Sequence, residues 1–357
     1  AGYRVGLYTS PHLLRYNERV RVQTREIADA VLCEALAATE RARGDVALTF
    51  FEFSTLAAIW AFIEARVDVA LLEVGLGGRL DAVNCFDADC AVLTCVDYDH
   101  MDYLGDTRES IGFEKAGVFR AGRPAICSES DVPQSVVDHA AASGARLYRI
   151  GRDFGYTEQA TGWDFRGRQT SYRALPRPAL QGDYQLRNAA AALAALDEMR
   201  ARLAVNEGDI HTGLAEVQLP GRFQILPGRP QVILDVAHNP QAIAAIAANL
   251  RSLPAGGRTI AVFGMLADKD VGNCVARIAP LIDVWCVGDI LHARGANAQT
   301  LCAVLQRQRV RGGLRRFDSV DSAFQQACLL AGENDKIIVF GSFHTVAAAL
   351  RERQRAA

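Results

Sequence analysis

VDVALLEVGLGGRLDAVN, residues 67–84, passes from an apolar run into a glycine-rich turn and sets one carboxylate, Glu73, beside the end of the run. A short continuous apolar run closed by Gly reads as a strand of a parallel sheet, covered on both faces. Working outward, the same alternation recurs along the chain: an apolar run, a polar or Gly-rich turn, then an amphipathic helical stretch. Candidate strands are Arg4 to Tyr8, Val67 to Val74, Cys90 to Val96 and Arg123 to Cys127. After Pro220 the series restarts with Gln231 to Val236, Arg258 to Phe263, Val284 to Val287 and Lys336 to Phe340. This spacing predicts parallel α/β construction.

Residues 146–180, rich in Gly, Arg, Tyr and Thr, predict short antiparallel β-structure, and RNAAAALAALDEMRARL, residues 187–203, predicts a helix from its alanine and leucine content. Leu219 to Pro230 carries three prolines and two glycines and reads as a linker. Two α/β domains joined near residue 220 are expected.

The 357 residues carry a formal charge of −2, and the arginines are scattered, so a nucleic-acid partner is not expected. No apolar run approaches the ~20 residues of a membrane span, and the first residues lack a secretory pattern, so a soluble, cytoplasmic protein is expected. No surface stands out for association, which favours a monomer. The nine cysteines include no CxxC pair. The evenly spaced Cys85, Cys90 and Cys95 read as buried packing residues, because alternating strand positions would not converge on one ion. Of 39 basic residues only Lys115, Lys269 and Lys336 are lysine. Scarcity marks them as positions where a compact, adjustable amine is needed, or as chance survivals at the surface.

Open parallel sheets bind ligands beyond the carboxyl ends of their strands. Those positions hold Ser10-Pro11-His12, Glu73 with its glycines, Asp97/Asp99/His100/Asp102, Asp235/His238/Asn239 and Ser342/His344. An unpaired buried carboxylate costs several kcal/mol. Glu73 therefore needs a cation, either Mg²⁺, which favours oxygen ligands and keeps waters, or a structural partner such as Arg79. Gly75, Gly77 and Gly78 lack the third glycine of a dinucleotide fingerprint, so this loop reads as a substrate contact. His100 either binds metal through its neutral ring or is hydrogen-bonded to its acidic neighbours. SIGFEKAGVF places Lys115 at a helix start. In the second half, Asp235 suits ribose hydroxyls, Pro240 suits the first turn of a helix, and Ser342 suits an N-cap three residues before Thr345.

These pieces, in this order, resemble the folylpolyglutamate synthase/dihydrofolate synthase family of the Mur ligase superfamily. The stretches that carry the resemblance are YTSPHLLRYNERVRV, FFEFSTLAA, LLEVGLGGRLDAVN, DHMDYLG, ESIGFEKAGVFR, LPGRFQ, DVAHNP, GMLADKD and GSFHTVA, which run from the first residues to the last. The resemblance implies an α/β, Mur-ligase-like fold: a parallel-sheet ATPase domain over 1–219, a linker over 220–230 and a smaller Rossmann-like domain over 231–357. It implies ATP and Mg²⁺, with two ions, held by Glu73 and His100, and Lys115 carbamylated beside the second. By the same likeness Asn188 meets the nucleotide base, Arg222 the phosphates and Asp235 the ribose. His238 and Ser342 lie near the incoming L-glutamate, and His238, Lys115 and Arg222 take part in the chemistry. The dihydropteroate or reduced-folate substrate is implied to lie against the SPHLLRYNERV loop, residues 10–20, with Ser10, Pro11 and His12 at its head, against Phe51, and against the turn Asp81, Ala82, Val83 and Asn84.

The implied reaction transfers the γ-phosphoryl of ATP to the substrate carboxylate, and the amine of glutamate then attacks the acyl phosphate. The family also carries a GTNGKGS-type phosphate loop, whereas this chain has no Gly-Lys dipeptide. On that ground the chain reads as a fragment short of a strand, loop and helix, on the order of 30 residues, and is expected to turn over little. Another Mur-type ligase, a dinucleotide-dependent oxidoreductase and a non-catalytic folate-binding homologue are the alternatives.

Overall fold

The run Val69–Leu72 pairs in parallel with Val5–Tyr8, Val69 opposite Val5 and Leu72 opposite Tyr8. On its other side Val5–Tyr8 pairs antiparallel with Val20–Val22, which carries the two-residue strand Arg25–Glu26 at its outer edge. The computed structural model describes residues 1–356. The helices Asp29–Arg43 and Phe50–Glu64 close one core over this sheet, burying Leu32, Ala35, Ala58 and Phe62 with Tyr8 and Val20. Thr49 starts the second of them through a reciprocal cap, its hydroxyl accepting the Glu52 N–H while the Glu52 carboxylate accepts the Thr49 N–H.

The described chain divides into two units, Ala1–Pro178 with Asp183–Glu216, and Ala179–Gly182 with the residues from Val217 onward. The first unit holds two more sheets. Ala91–Leu93, Pro124–Cys127 and Arg146–Arg149 are parallel, so residues 146–149 continue the parallel pattern that the sequence reading ended before them. Gly155–Gln159, Gly162–Arg166 and Ser171–Leu175 form the expected antiparallel sheet. The helix Tyr184–Met199 packs there, its Leu186, Ala190 and Leu193 meeting Trp163, Phe165 and Leu175.

In the second unit six strands run in the order 224–226, 231–235, 336–340, 259–263, 284–288, 313–317, all parallel except the first. QVILD, TIAVF, VWCVG and KIIVF are buried at every position but the first, as interior parallel strands require. Gly341 follows the strand Lys336–Phe340 at φ +114°, and a side chain there would meet the Gly264 carbonyl oxygen at 2.3 Å. Only glycine lets the two strand ends approach so closely. Residues 224–226, read from sequence as linker, are an edge strand. The turn-forming Gly221 and the later Pro227 and Pro230 bracket three residues free to pair with Val232–Leu234.

Among the described residues no helix is long and apolar enough to cross a membrane. Cys85 is exposed and Cys90 and Cys95 are half-buried, so the expectation that all three pack in a core is corrected: only Cys127, Cys274, Cys286 and Cys302 are buried.

Candidate active site

The strand Val69–Leu72 stops one residue before Glu73, and the Glu73 N–H donates to the Tyr8 carbonyl. Glu73 itself is exposed, not sealed in an apolar strand as the sequence reading assumed, and its Oε2 accepts the Ser10 N–H at 2.8 Å. Arg79 is not its counter-ion: that guanidinium pairs with Glu114 at 2.9 Å. A solvent-facing carboxylate anchored by a backbone amide is an oxygen donor suited to a hard, hydrated cation.

Beyond Glu73 the glycine-rich turn is closed by Asp81. Its carboxylate accepts the N–H groups of Gly75 at 3.0 Å, Leu76 at 2.9 Å and Val83 at 3.0 Å. Gly75 lies against the Phe51 ring and Gly78 against the backbone of Glu114 and Lys115. Lys115 occupies the last turn of the helix Arg108–Ala116, not its start as the sequence suggests, because Thr107 caps the helix and Gly117 ends it. Asn84 Nδ2 donates to the carbonyls of Arg79 and Gly117, each at 3.0 Å, and its Oδ1 accepts from Arg120 at 2.8 Å. Ala82 and Val83 lie in the single turn Ala82–Cys85, with Val83 buried. Asp81 thus closes the loop on itself and Asn84 ties it to the end of Lys115's helix at Gly117, work that a substrate-contact reading does not reveal.

The Ser10–Pro11 peptide is cis. Behind it, His12 Nδ1 accepts from Arg19 Nε at 2.8 Å. Burial, then the Arg19 charge, holds the His12 pKa below its ordinary value, so the ring is neutral at pH 7 and its proton sits on Nε2. Glu18 accepts three successive N–H groups, from Leu13, Leu14 and Arg15, which fix the SPHLLR loop. His100 has left-handed backbone, φ 51°, and its exposed ring places Nε2 3.9 Å from Asp99 Oδ1. Among the described residues no three His, Cys, Asp or Glu side chains gather into a metal-holding group. Protein donors Glu73 and His100 would leave most of a magnesium shell to water and phosphate, which that ion tolerates. Asn188 sits in the first turns of the helix Tyr184–Met199, its Nδ2 donating to Gln185 Oε1 at 3.1 Å.

In the second unit Asp235 ends a strand with its carboxylate turned inward. Oδ2 accepts the Phe223 N–H and Oδ1 the Ala237 N–H, each at 2.8 Å. Burial pushes the pKa up to about 6 against the lowering effect of those two amides and Arg222. Arg222 lies over the Phe343 ring, its Cζ 5.4 Å from the centroid. His238 Nδ1 donates to the Val236 carbonyl at 2.9 Å, so Nε2 is the basic nitrogen of the neutral ring. Asn239 caps the helix Pro240–Ser252, with Pro240 in its first turn. Ser342 Oγ accepts the Thr345 N–H at 3.0 Å, the expected cap, and Thr345 Oγ1 donates to the Gly264 carbonyl.

Residues 29–196 match the Mur ligase middle domain, and residues 221–343 match the Mur ligase glutamate ligase domain. The chain is 46% identical over 347 residues to dihydrofolate synthase/folylpolyglutamate synthase of Escherichia coli (strain K12), an alignment covering 97% of this chain and 79% of that protein. The chain belongs to the dihydrofolate synthase/folylpolyglutamate synthase family. The Haemophilus influenzae member is 38% identical over 364 residues, covering 97% of this chain and 82% of its own length. The E. coli protein in complex with DHPP and ADP superposes with a TM-score of 0.93 at 44% identity, covering 100% of this chain and 83% of that one. A bifunctional member of the family with Mn, AMPPNP and L-glutamate bound gives 0.91 at 44% identity over 99% and 84%. Within this Mur-ligase-like fold the sequence reading includes Glu18 and Arg19 in the substrate loop of residues 10–20 but gives neither a role of its own. The one visible signal was two adjacent charges in a stretch otherwise read as a binding loop.

Proposed function

We propose that this ligase adds L-glutamate to dihydropteroate and to tetrahydrofolate, activating each substrate carboxylate with ATP. The observation that carries the reading is the likeness, over the whole chain, to an enzyme holding DHPP and ADP. The geometry of the strand tips agrees with it. A substrate carboxylate oxygen attacks the γ-phosphorus and ADP leaves. The amine nitrogen of glutamate then attacks the carbonyl carbon, the carbon–oxygen bond to phosphate breaks, and phosphate departs.

Bound divalent metal supplies charge neutralisation for the phosphoryl oxygens. Glu73 and His100 are the residues proposed to hold it, Glu73 with its carboxylate steadied by Ser10. Lys115 is proposed to take up carbon dioxide as a carbamate, turning a scarce amine into a second oxygen donor. Arg222 contributes positive charge to the phosphates. His238, with Nδ1–H committed to Val236, accepts the proton shed by the attacking amine at Nε2. Asn188 is assigned to the nucleotide base, and Ser10, Pro11, His12, Phe51 and Ala82 to the pteridine-bearing substrate. Ser342 is assigned to glutamate.

The test is glutamate-dependent phosphate release by the full gene product, with dihydropteroate and with tetrahydrofolate in separate arms. Release with either substrate, falling by about a hundredfold or more in Glu73→Gln, is the expected result. No release with either substrate refutes the assignment.

A further inference from the structure

Arg19 is 7% exposed, yet among the described residues it makes no ion pair. Its Nε is committed to His12 Nδ1 at 2.8 Å, while the two terminal nitrogens take no acceptor in the described chain and are not among its solvent-sealed polar atoms, so what little of the side chain meets solvent includes these donors. The neighbouring acids are engaged elsewhere. Glu18 accepts three backbone N–H groups, and Asp29 is shared by Arg15 and Asn17. Withdrawing most of a guanidinium from water without a counter-charge is unfavourable, and the donors that still meet solvent are the ones a ligand can reach. Two buried carboxylates of this unit do have their partners: Asp197 accepts from Arg168, Gln169 and Thr170, and Glu129 from Val96 and Asp131.

What surrounds Arg19 is aromatic. Its Cζ lies 5.6 Å from the Tyr16 centroid and 5.3 Å from that of Phe50, and the two rings meet edge to face at 6.1 Å. Cation–π contact offsets part of the desolvation. Phe50 is nevertheless 64% exposed, so the cage has an aromatic wall open to solvent. A cation with free donors behind an exposed aromatic wall is complementary to an aromatic ring that bears a carboxylate. The Arg19 carbonyl accepts the Thr9 N–H, and the next residue, Ser10, anchors Glu73, so the backbone that carries this cation is tied to the strand tip where the proposed chemistry occurs.

We infer that Arg19 is a recognition residue for an aryl carboxylate, holding that group by its terminal N–H donors while Tyr16 and Phe50 flank the ring. The assignment deepens the folate reading and rests on it for the identity of the ligand, the benzoate end of a pteroate.

The experiment measures binding to the full gene product without ATP, by calorimetry, for pteroate, pteroate methyl ester and L-glutamate, with 4-aminobenzoate followed by saturation-transfer NMR. Arg19→Gln is compared with wild type. Arg19→Lys, which keeps the charge but not the forked donors, serves should the first variant fail to fold by circular dichroism. Pteroate affinity is expected to fall about thirtyfold or more while the ester changes less than about threefold, since only the acid offers the paired acceptors. The 4-aminobenzoate signal should vanish with the substitution. Equal loss for acid and ester, or loss confined to glutamate, overturns the inference. Wild-type protein that binds 4-aminobenzoate through Arg19 but no pteroate would leave this assignment standing and remove the folate reading.

Discussion

Asp235 Oδ2 accepts the backbone N–H of Phe223 at 2.8 Å, across twelve residues of chain. Phe223 has φ +43°, a left-handed conformation that a bulky residue adopts only when its surroundings impose it, and it is fully packed. The carboxylate therefore clips the Arg222–Phe223 turn to the end of the central strand, while its other oxygen holds Ala237 next to His238. The two residues assigned to phosphate and proton handling are placed by one buried side chain.

Asp235→Asn leaves one backbone N–H facing an amide donor, at a cost of about 2 kcal/mol. Urea unfolding followed through Trp285, buried in the same core, should report it. Phosphate release should fall with it, because Arg222 loses its anchor. Unchanged stability with lowered nucleotide affinity would favour a direct ribose contact for Asp235 instead.

The same carboxylate sets a pH dependence whose sign follows from its pKa. Burial raises the folded value to about 6, against an ordinary 3.8. Between those values the native state holds a proton that the unfolded state has released, so this group's contribution falls as pH rises from about 4 to about 6. The contribution lost is on the order of 3 kcal/mol. Because Asn does not titrate, the stability gap between wild type and Asp235→Asn should be widest near pH 4 and narrow toward pH 7. A gap constant across that range would rule out the raised pKa.

Much of the second unit could be read directly from its apolar runs, because interior parallel strands such as TIAVF and KIIVF are continuous and need no partner to be recognised. GLRRF escaped because, as the outer strand, it buries no residue fully and carries two adjacent arginines that break any apolar run. Val20–Val22 and Arg25–Glu26 are too short for any period to show. At the candidate site, polar residues at or past strand ends single out Glu73, Asp81 and Asp235 as candidates. Their partners are backbone amides, some as far off as Ser10 from Glu73 and Phe223 from Asp235, which composition does not encode. Lys115 was misplaced along its helix because a Thr107 cap is one of several polar candidates until the backbone is seen.

Asn84 separates a scaffold role from a substrate role. Its amide spans the carbonyls of Arg79 and Gly117 and accepts from Arg120. Asn84→Ala strands those groups and should cost about 2–3 kcal/mol in the first unit, seen as a lower urea midpoint. A variant with wild-type stability and only a raised KM for dihydropteroate would return Asn84 to the substrate.

Gly78 offers the sharpest test of how the glycine-rich turn serves Lys115. A Cβ at residue 78 would lie 2.8 Å from the Lys115 carbonyl oxygen, 2.9 Å from that of Glu114 and 3.1 Å from Val118 Cγ1. Two of the three are backbone atoms at a helix end, which cannot swing aside as a side chain can. In the same stretch the Arg79 N–H donates to the Glu114 carbonyl at 2.8 Å, so the turn and the helix end move together or not at all. Gly78→Ala must then push the last turn of Arg108–Ala116 away from the strand tip, carrying Lys115 with it. Displacements near 1 Å in a positioned group commonly cost about a hundredfold in rate. Phosphate release should drop by roughly that factor while dihydropteroate binding, proposed to draw on the loop at Ser10 to Arg19, changes little. Retention of more than about half the wild-type rate would mean that Lys115 takes no part in the reaction or that the turn yields without moving it, and carbon-13 NMR of protein equilibrated with labelled carbon dioxide would distinguish these by the presence or absence of a Lys115 carbamate signal.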